Sequence, residues 1–167
     1  MHNLIQRAIW ISLGAAMIVS TGCAVFGGSS REESRAKNYR LNVPPGWQSK
    51  EHGESDAVYQ LASGALATIT TTCGRHTGAP LELLTKHFLF GSRNVAVDRR
   101  ESVMVDGAAG LRSWVRATMD GRPFFLELVV SAKQGCVFDF SLLSPKKISE
   151  SDEEAFMSVI KNFHYEP

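Results

Sequence analysis

Two kinds of hydrophobic pattern divide this chain. Residues 8–19 form one apolar run, and from residue 39 onward apolar and polar residues alternate in short segments. Alternation with a period of two is typical of half-buried β-strands, whereas apolar residues three and four positions apart are typical of amphipathic helices. The pattern therefore predicts a leading apolar segment followed by a domain that contains both strands and helices.

The alternating segments predict an antiparallel β-sheet of about six or seven strands. The segments cover residues 39–43, 57–63, 66–72, 95–105, 111–119, 124–132 and 136–143. Pro44-Pro45-Gly46 ends the first, since proline lacks the N–H that a β-ladder needs. The last four are predicted to form a meander, because Asp106-Gly107 and Asp120-Gly121 are hairpin turn sequences.

Two further segments have the periodicity of amphipathic helices. Their apolar positions are Leu81, Leu84 and Phe88 in the first, and Phe156, Val159, Ile160 and Phe163 in the second. Pro80 suits the first turn of a helix, and the second helix is predicted to start at Ser149 or Ser151, where Ser151 and Glu154 have capping-box spacing. We predict that the second helix covers one face of the sheet, and that the first lies beside it or covers the other face. Either arrangement is an α+β sandwich.

The register of the last hairpin can be tested on the sequence. A three-residue loop at 133–135 places Ala132 opposite Cys136 and makes one face of the pair wholly apolar. A two-residue loop places Val130 opposite Asp139 instead. We predict the longer loop, because a slip of one residue moves every side chain to the other face.

Counting across the Asp106-Gly107 turn gives a mixed result. It pairs Glu101 with Arg112, which is favourable, but it also sets Asp98 against Val115. We therefore predict a β-bulge near Ala109-Gly110.

The leading segment has the layout of an export signal. Arg7 precedes the apolar run, which is too short to span a bilayer comfortably, and small residues follow the run. The stretch Val19-Ser20-Thr21-Gly22-Cys23 resembles a bacterial lipoprotein signal, although that family prefers leucine where this chain has Ser20. The resemblance implies that Cys23 is acylated and becomes the first mature residue. Ordinary secretory cleavage after Ala24 is the alternative.

This interpretation divides the chain into three parts. Residues 1–22 are a lipoprotein signal peptide, residues 23–38 are the lipidated cysteine and a flexible tether, and residues 39–167 are a single domain. The residue after Cys23 is Ala24. In Gram-negative lipoproteins of this kind, an aspartate at that position resembles an inner-membrane retention signal, and this chain lacks it. In a cell with two membranes, the resemblance implies an outer-membrane protein that faces the periplasm.

The charge balance argues against nucleic acid as a partner. Arg7 is the one Lys or Arg before Cys23, so 17 basic and 17 acidic residues follow that cysteine. Proteins that bind the phosphate backbone carry a basic surplus, which the mature domain lacks.

The three cysteines predict one disulfide. If Cys23 carries lipid, Cys73 and Cys136 remain, and an oxidising envelope compartment favours their pairing. An alternative is a metal site built from Cys73, His76 and His87. We favour the disulfide with scattered histidines over the metal site, because no H-x-x-H, C-x-x-C or H-E-x-x-H spacing occurs in the chain. No nucleophile elbow, phosphate loop or dinucleotide fingerprint occurs either, so we predict no cofactor, no metal and no enzymatic activity.

One strand carries a candidate binding surface. Arg112, Trp114 and Arg116 alternate and therefore project from one face of the sheet, with Glu127 predicted opposite Trp114. Arginine and tryptophan are enriched in binding hot spots, so this face is our candidate for contact with a partner or an anionic ligand. The alternative is that Trp114 packs under a helix while the arginines stack on it or pair with Glu101 and Glu127.

The order of the elements resembles a known family. The stretch from Tyr39 to Trp47, which reads YRLNVPPGW, resembles the opening strand and P-x-G-W turn of the Mog1/PsbP-like fold, and the similarity extends over residues 39–165. Members include a photosystem subunit, a Ran-GTPase-binding protein and bacterial lipoproteins. The resemblance implies a non-catalytic binding or assembly accessory, here with an envelope protein as its partner. The alternatives are a carrier of lipids or small molecules for an envelope transport system and, third, an enzyme that uses Cys73.

Overall fold

The computed structural model describes residues 34–51, 53–74 and 78–167. The predicted signal peptide, Cys23 and most of the predicted tether lie outside these residues. The strands are β1 (Tyr39–Arg40), β2 (Gln48–Lys50), β3 (Ala57–Gln60), β4 (Leu66–Cys73), β5 (Arg93–Val105), β6 (Ala108–Met119), β7 (Arg122–Lys133), β8 (Cys136–Ser144) and β9 (His164–Tyr165). The helices are α1 (Leu81–Phe88) and α2 (Glu150–Lys161), and neither is long and apolar enough to cross a membrane.

Seven of the strands form one antiparallel sheet in the order β2-β3-β4-β8-β7-β6-β5. The predicted meander is confirmed as β5 to β8. The strand predicted over residues 39–43 is shorter, because β1 pairs only with β9, through Tyr39–Tyr165 and Arg40–His164. These two strands form a separate ribbon, and the chain then leaves it toward Pro44.

A helix covers each face of the sheet. Val129 of β7 packs in the cluster that contains Phe156 and Ile160 of α2, whereas its neighbour Val130 packs in the cluster with Leu84 of α1. Successive residues of a strand point to opposite faces, so the two clusters lie on opposite sides of the sheet. Of the two predicted arrangements, the structure has α1 on the other face from α2.

Helix α2 begins directly after Ser149. The Ser149 hydroxyl accepts a hydrogen bond from the Asp152 N–H at 3.2 Å and caps the helix. Of the two starts predicted from the sequence, the earlier one is therefore observed. Acidic residues fill the first turn, where the helix dipole favours negative charge.

The register predicted for the β7–β8 hairpin is wrong. The structure pairs Lys133 with Cys136 and Val130 with Asp139, so the loop consists of Gln134 and Gly135 alone. Both loop residues have positive φ angles, of 48° and 80°, as a type I′ hairpin turn requires. The prediction assumed that only one face of the hairpin is buried. Because helices cover both faces, both carry apolar residues, and the presence of an apolar face does not distinguish the two registers.

The β-bulge lies on the other strand of its hairpin. The pairing of β5 with β6 is regular from Val105–Ala108 to Arg99–Trp114, and the register then shifts between Val97 and Arg99 and again between Arg93 and Ala96. The predicted bulge near Ala109-Gly110 is therefore wrong in position, while the predicted Glu101–Arg112 pair is present. Asp98 is the extra residue, which relieves its predicted clash with Val115.

The domain begins before Tyr39, where the sequence placed its start. Ser34 forms an antiparallel bridge with Cys73, whose N–H donates to the Ser34 carbonyl at 2.7 Å. Ala36 is buried, and its N–H donates to the Thr71 hydroxyl at 2.8 Å. Residues 34–38 thus belong to the domain rather than to a free tether.

The predicted disulfide joins Cys73 of β4 to Cys136 of β8. The two residues are direct partners on adjacent central strands. The bond therefore ties the segment that begins at Ser34 to the middle of the sheet.

Candidate binding site

Strand β6 places the three predicted site residues on the face that α2 covers in part. Arg112, Trp114 and Arg116 alternate along this strand, and Trp114 lies opposite Glu127 of β7, as predicted. The three side chains nevertheless have different surroundings. Their surroundings decide which of them can meet a ligand.

Arg112 is the centre of an internal ion-pair network. Its Nε donates to Glu127 at 2.6 Å, and its two terminal nitrogens contact Glu101 at 3.0 Å and Glu153 of α2 at 3.5 Å. Only 13% of the Arg112 side chain is exposed. Three carboxylates occupy its donors, so Arg112 fixes α2 to the sheet instead of presenting a charge to a partner.

Glu127 lies at the buried end of this network. It is fully buried, and its Oε2 atom has no hydrogen-bond partner among the described residues. Burial raises the pKa of Glu127 to about 7, and Arg112 opposes this rise, while the nearby Glu153 and Glu101 add to it. The network is therefore close to a change in charge near neutral pH.

Trp114 is half-buried and lies against two arginines. The guanidinium carbons of Arg112 and Arg99 lie 4.1 Å and 4.6 Å from the ring centroid, within cation–π distance. The indole N–H donates to Glu153 at 3.3 Å. Arg112 thus behaves as in the alternative weighed for the sequence, since it stacks on Trp114 and pairs with Glu101 and Glu127. Arg116 does not, because its partner is Asp98.

Arg116 is the exposed member of the three. Its guanidinium donates two hydrogen bonds of 2.7 Å to the two oxygens of Asp98, the bulge residue. The hydrogen bond from Arg116 lowers the pKa of Asp98. The side chain of Arg116 is 56% exposed, so this residue is accessible from solvent.

Trp114 and Arg116 line a cleft of about 280 Å³ between the sheet and the start of α2. Phe125 and Ile148 form apolar parts of its wall, and Asp98, Lys147 and Glu153 contribute charged groups. This cleft is the candidate binding site, because it combines an aromatic wall with accessible polar groups.

Sequence reasoning missed Lys147 and Phe125 as members of this site. Lys147 belongs to the connection between β8 and α2, about thirty residues from Arg116 in the chain, and no local pattern marks it. Phe125 lies opposite Arg116 in the β6–β7 pair and could have been found by the same count that placed Glu127.

The candidate metal site does not assemble. Cys73 is held in the disulfide, and His76 lies outside the described residues. Among the residues that the structure describes, no group of three or more histidine, cysteine, aspartate or glutamate side chains is placed to hold a metal ion.

A second carboxyl, which is partly buried, lies on the opposite face of the sheet. Asp139 of β8 has one oxygen, Oδ1, that is buried and has no partner within the described part of the chain. Burial raises the pKa of Asp139 to about 7. Asp139 is not among the residues that line the candidate cleft.

Comparison with known proteins gives a fold and no family. No protein-family model and no curated protein matches the chain. The solution structure of CyanoP, the PsbP of the cyanobacterium Synechocystis sp. PCC 6803, matches with a TM-score of 0.56 at 14% identity, over 84% of this chain and 96% of CyanoP. The domain has a PsbP-like fold.

Two other solved structures share the architecture. LpqN of Mycobacterium tuberculosis, which is involved in cell envelope biogenesis, has a TM-score of 0.56 at 13% identity, over 84% of this chain and 88% of LpqN. A protein from Bacteroides thetaiotaomicron has a TM-score of 0.57 at 16% identity over 81% of this chain. The match covers 48% of that protein, so this chain spans about half its length. At these identities, the likeness shows the fold alone.

Proposed function

We propose that this chain is a bacterial envelope lipoprotein, anchored by acylated Cys23, whose PsbP-like domain binds another envelope protein without catalysing a reaction. The observation that carries the binding role is the cleft beside α2, where the half-buried Trp114 and the exposed Arg116 meet Phe125. Tryptophan and arginine contribute most to protein interfaces when a pocket removes them from water.

Two observations support an envelope location. The Cys73–Cys136 disulfide fits an oxidising compartment, in agreement with the export signal that precedes Cys23. LpqN, which shares the fold, is a protein of cell envelope biogenesis. We place the protein at the outer membrane, facing the periplasm, because Ala24 follows the lipidated cysteine.

The non-catalytic role is supported by the state of the candidate nucleophile. An enzyme that uses Cys73 needs a thiolate, and the disulfide removes it.

The carrier alternative is less well supported. A carrier needs room between the sheet and a helix, but large side chains fill the space under α2: Phe138, Phe140, Phe156 and Ile160 are each at most 2% exposed. A protein partner that contacts the surface cleft needs no internal cavity.

The cleft and the start of the domain lie at opposite ends of the sheet. Ser34 pairs next to the Cys136 end of β8, whereas the cleft lies beside Ser144 at the other end, about 25 Å away along the strand. The first described residue of the domain thus does not lie at the cleft.

The experiment is site-specific photo-crosslinking in intact cells. A photoreactive residue at Arg116 is expected to capture a defined partner, while the same residue at Arg100, an exposed arginine on β5 whose side chain lies on the other face, is expected to capture none. Equal capture at both positions, or none at Arg116, contradicts the binding role. Mass spectrometry of the mature protein tests the anchor, since a mass without acyl chains excludes lipidation at Cys23.

A further inference from the structure

We infer that the cleft beside α2 receives a partner segment in which a large apolar side chain stands next to a carboxylate. The inference rests on the proposed function and specifies the chemistry of its partner. It follows from the size of the cleft, its apolar wall and the charge that remains uncompensated at its edge.

The cleft lies at the small end of the usual range for ligand pockets and has room for one large side chain. Its volume is about 280 Å³. Pockets that enclose drug-sized ligands usually hold roughly 300–1,000 Å³. The cleft therefore suits one anchor side chain, and such an anchor in a pocket is the usual centre of a protein interface.

The wall of the cleft suits an aromatic or large aliphatic anchor. Trp114 presents its ring, Phe125 lies beside it on β7, and Ile148 at the base of α2 is only 8% exposed. The Trp114 ring already lies against Arg112 and Arg99, which hold it in place. A fixed aromatic surface loses little side-chain entropy when a ligand packs on it.

The charged groups around the cleft leave one cation without a partner. Asp98 balances the charge of Arg116 through two hydrogen bonds, and Glu153 accepts from Trp114 and Arg112. Lys147 forms no hydrogen bond or ion pair with any residue in the described part of the chain. It is the group available to a carboxylate on the ligand.

The connection that carries Lys147 is fixed on both sides. Ile148 is buried in the core cluster under α2, and Ser149 caps the helix through the Asp152 N–H. The Lys146 N–H donates to the Ser144 hydroxyl at 3.2 Å on the other side. The backbone therefore holds Lys147 at the cleft, whereas the neighbouring Lys146, which is also exposed, does not line it.

These neighbouring lysines supply a matched pair of variants for the test. The probes are acetyl-Phe-Asp-amide, acetyl-Phe-Asn-amide, acetyl-Phe-Lys-amide and decanoate, titrated into the full chain carrying Cys23→Ser. Binding is measured by NMR as the shift of the Trp114 indole N–H, with the indole of Trp47, which packs on Tyr59 away from the cleft, as the reference.

We expect the aspartate peptide to bind about threefold more tightly than the asparagine peptide, which is the usual size of one exposed ion pair. The lysine peptide is expected to bind most weakly. Lys147→Glu should reverse the order of the aspartate and lysine peptides, and Lys146→Glu should leave it unchanged.

Four outcomes overturn the inference: equal binding of the aspartate and asparagine peptides, an order that Lys147→Glu does not change, tighter binding of decanoate than of any peptide, or no shift of Trp114 with the peptides. The crosslinks at Arg116 separate this failure from failure of the proposed function. If they persist, the domain binds a partner of another chemistry, and if they are absent, the binding role itself is wrong.

Discussion

Asp139 lies directly opposite Val130 in the β7–β8 hairpin, which places a carboxyl group on the face of the sheet that α1 covers. Its buried oxygen has no partner among the described residues, and burial raises its pKa to about 7. The unfolded chain has the ordinary pKa of 3.8. Between these values the folded state holds a proton that the unfolded state has lost, so stability falls as pH rises through this range.

Replacement of this carboxyl should therefore change the pH dependence of stability. We expect Asp139→Asn to raise the free energy of unfolding at pH 8 by on the order of a few kcal/mol and to have little effect at pH 4. Denaturant titrations at several pH values measure both. The free energy of unfolding of the variant should still fall with rising pH, though less steeply, because the pKa of Glu127 is also raised.

Asp120→Asn is the matched control for this prediction. Asp120 is an exposed turn residue with φ of 50°, and asparagine is equally at home in that turn. In this control, the free energy of unfolding should depend on pH as it does in the unmodified protein. An unchanged slope in Asp139→Asn would show that the carboxyl is not a source of the pH dependence.

Two arginines that look alike in the sequence should differ in their effect on stability. Arg112→Met leaves the fully buried Glu127 without its cation, which costs about 3 kcal/mol or more at pH 8 for a broken buried pair. The loss should be smaller at pH 5, where Glu127 is protonated. Arg116→Ala breaks an exposed pair and should leave the melting temperature unchanged.

The comparison is made by thermal melting of the two variants side by side. Equal melting temperatures for both would contradict the internal role of Arg112. A large loss in Arg116→Ala would show that the Asp98 contact supports the fold.

Gly110 lies where neighbouring strands come too close for a side chain. A methyl group there would approach the Cγ2 atoms of Val105 and Val103 to 3.0 Å and 3.2 Å, and the Val130 carbonyl to 3.3 Å. We expect Gly110→Ala to lower the free energy of unfolding by about 1–3 kcal/mol, the usual cost of overpacking. Gly53→Ala, which would meet nothing within 4 Å, is the control and should unfold at the same denaturant concentration as the unmodified protein.

Reduction of the disulfide should destabilise the domain. The bond closes a loop with a sequence separation of 63, for which chain entropy gives about 4 kcal/mol. A thermal melt with a reductant is expected to show a large decrease in melting temperature. The double variant Cys73→Ala, Cys136→Ala should melt at the lower temperature with or without reductant, and a response of this variant to reductant would place the effect elsewhere.

Much of the fold follows from local patterns in the sequence. Both helices and the three turns that join β5 to β8 lie where apolar periodicity and turn sequences predict them. The register of the last hairpin does not follow from local patterns. Pairing Val130 with Asp139 looks unfavourable when one face of the sheet is assumed to be buried, and the sequence does not show that both faces are covered.

The candidate site was predictable only in part. Alternation along β6 placed Arg112, Trp114 and Arg116 on one face and Glu127 opposite, and the structure agrees. The sequence could not show that Glu153 of α2 comes to Arg112, which makes that arginine internal. Lys147 enters the cleft only through the path of the β8–α2 connection, which no periodicity describes.

The bridge between Ser34 and Cys73 has a mechanical consequence for an anchored protein. A pull from the membrane side would enter the domain at Ser34, next to a residue that is covalently bound to the central strand β8. The load would pass through the two backbone hydrogen bonds that join Ser34 to Cys73, and then through the sulfur–sulfur bond into the most buried part of the sheet. Those two hydrogen bonds would therefore resist the pull before the short β1–β9 ribbon does.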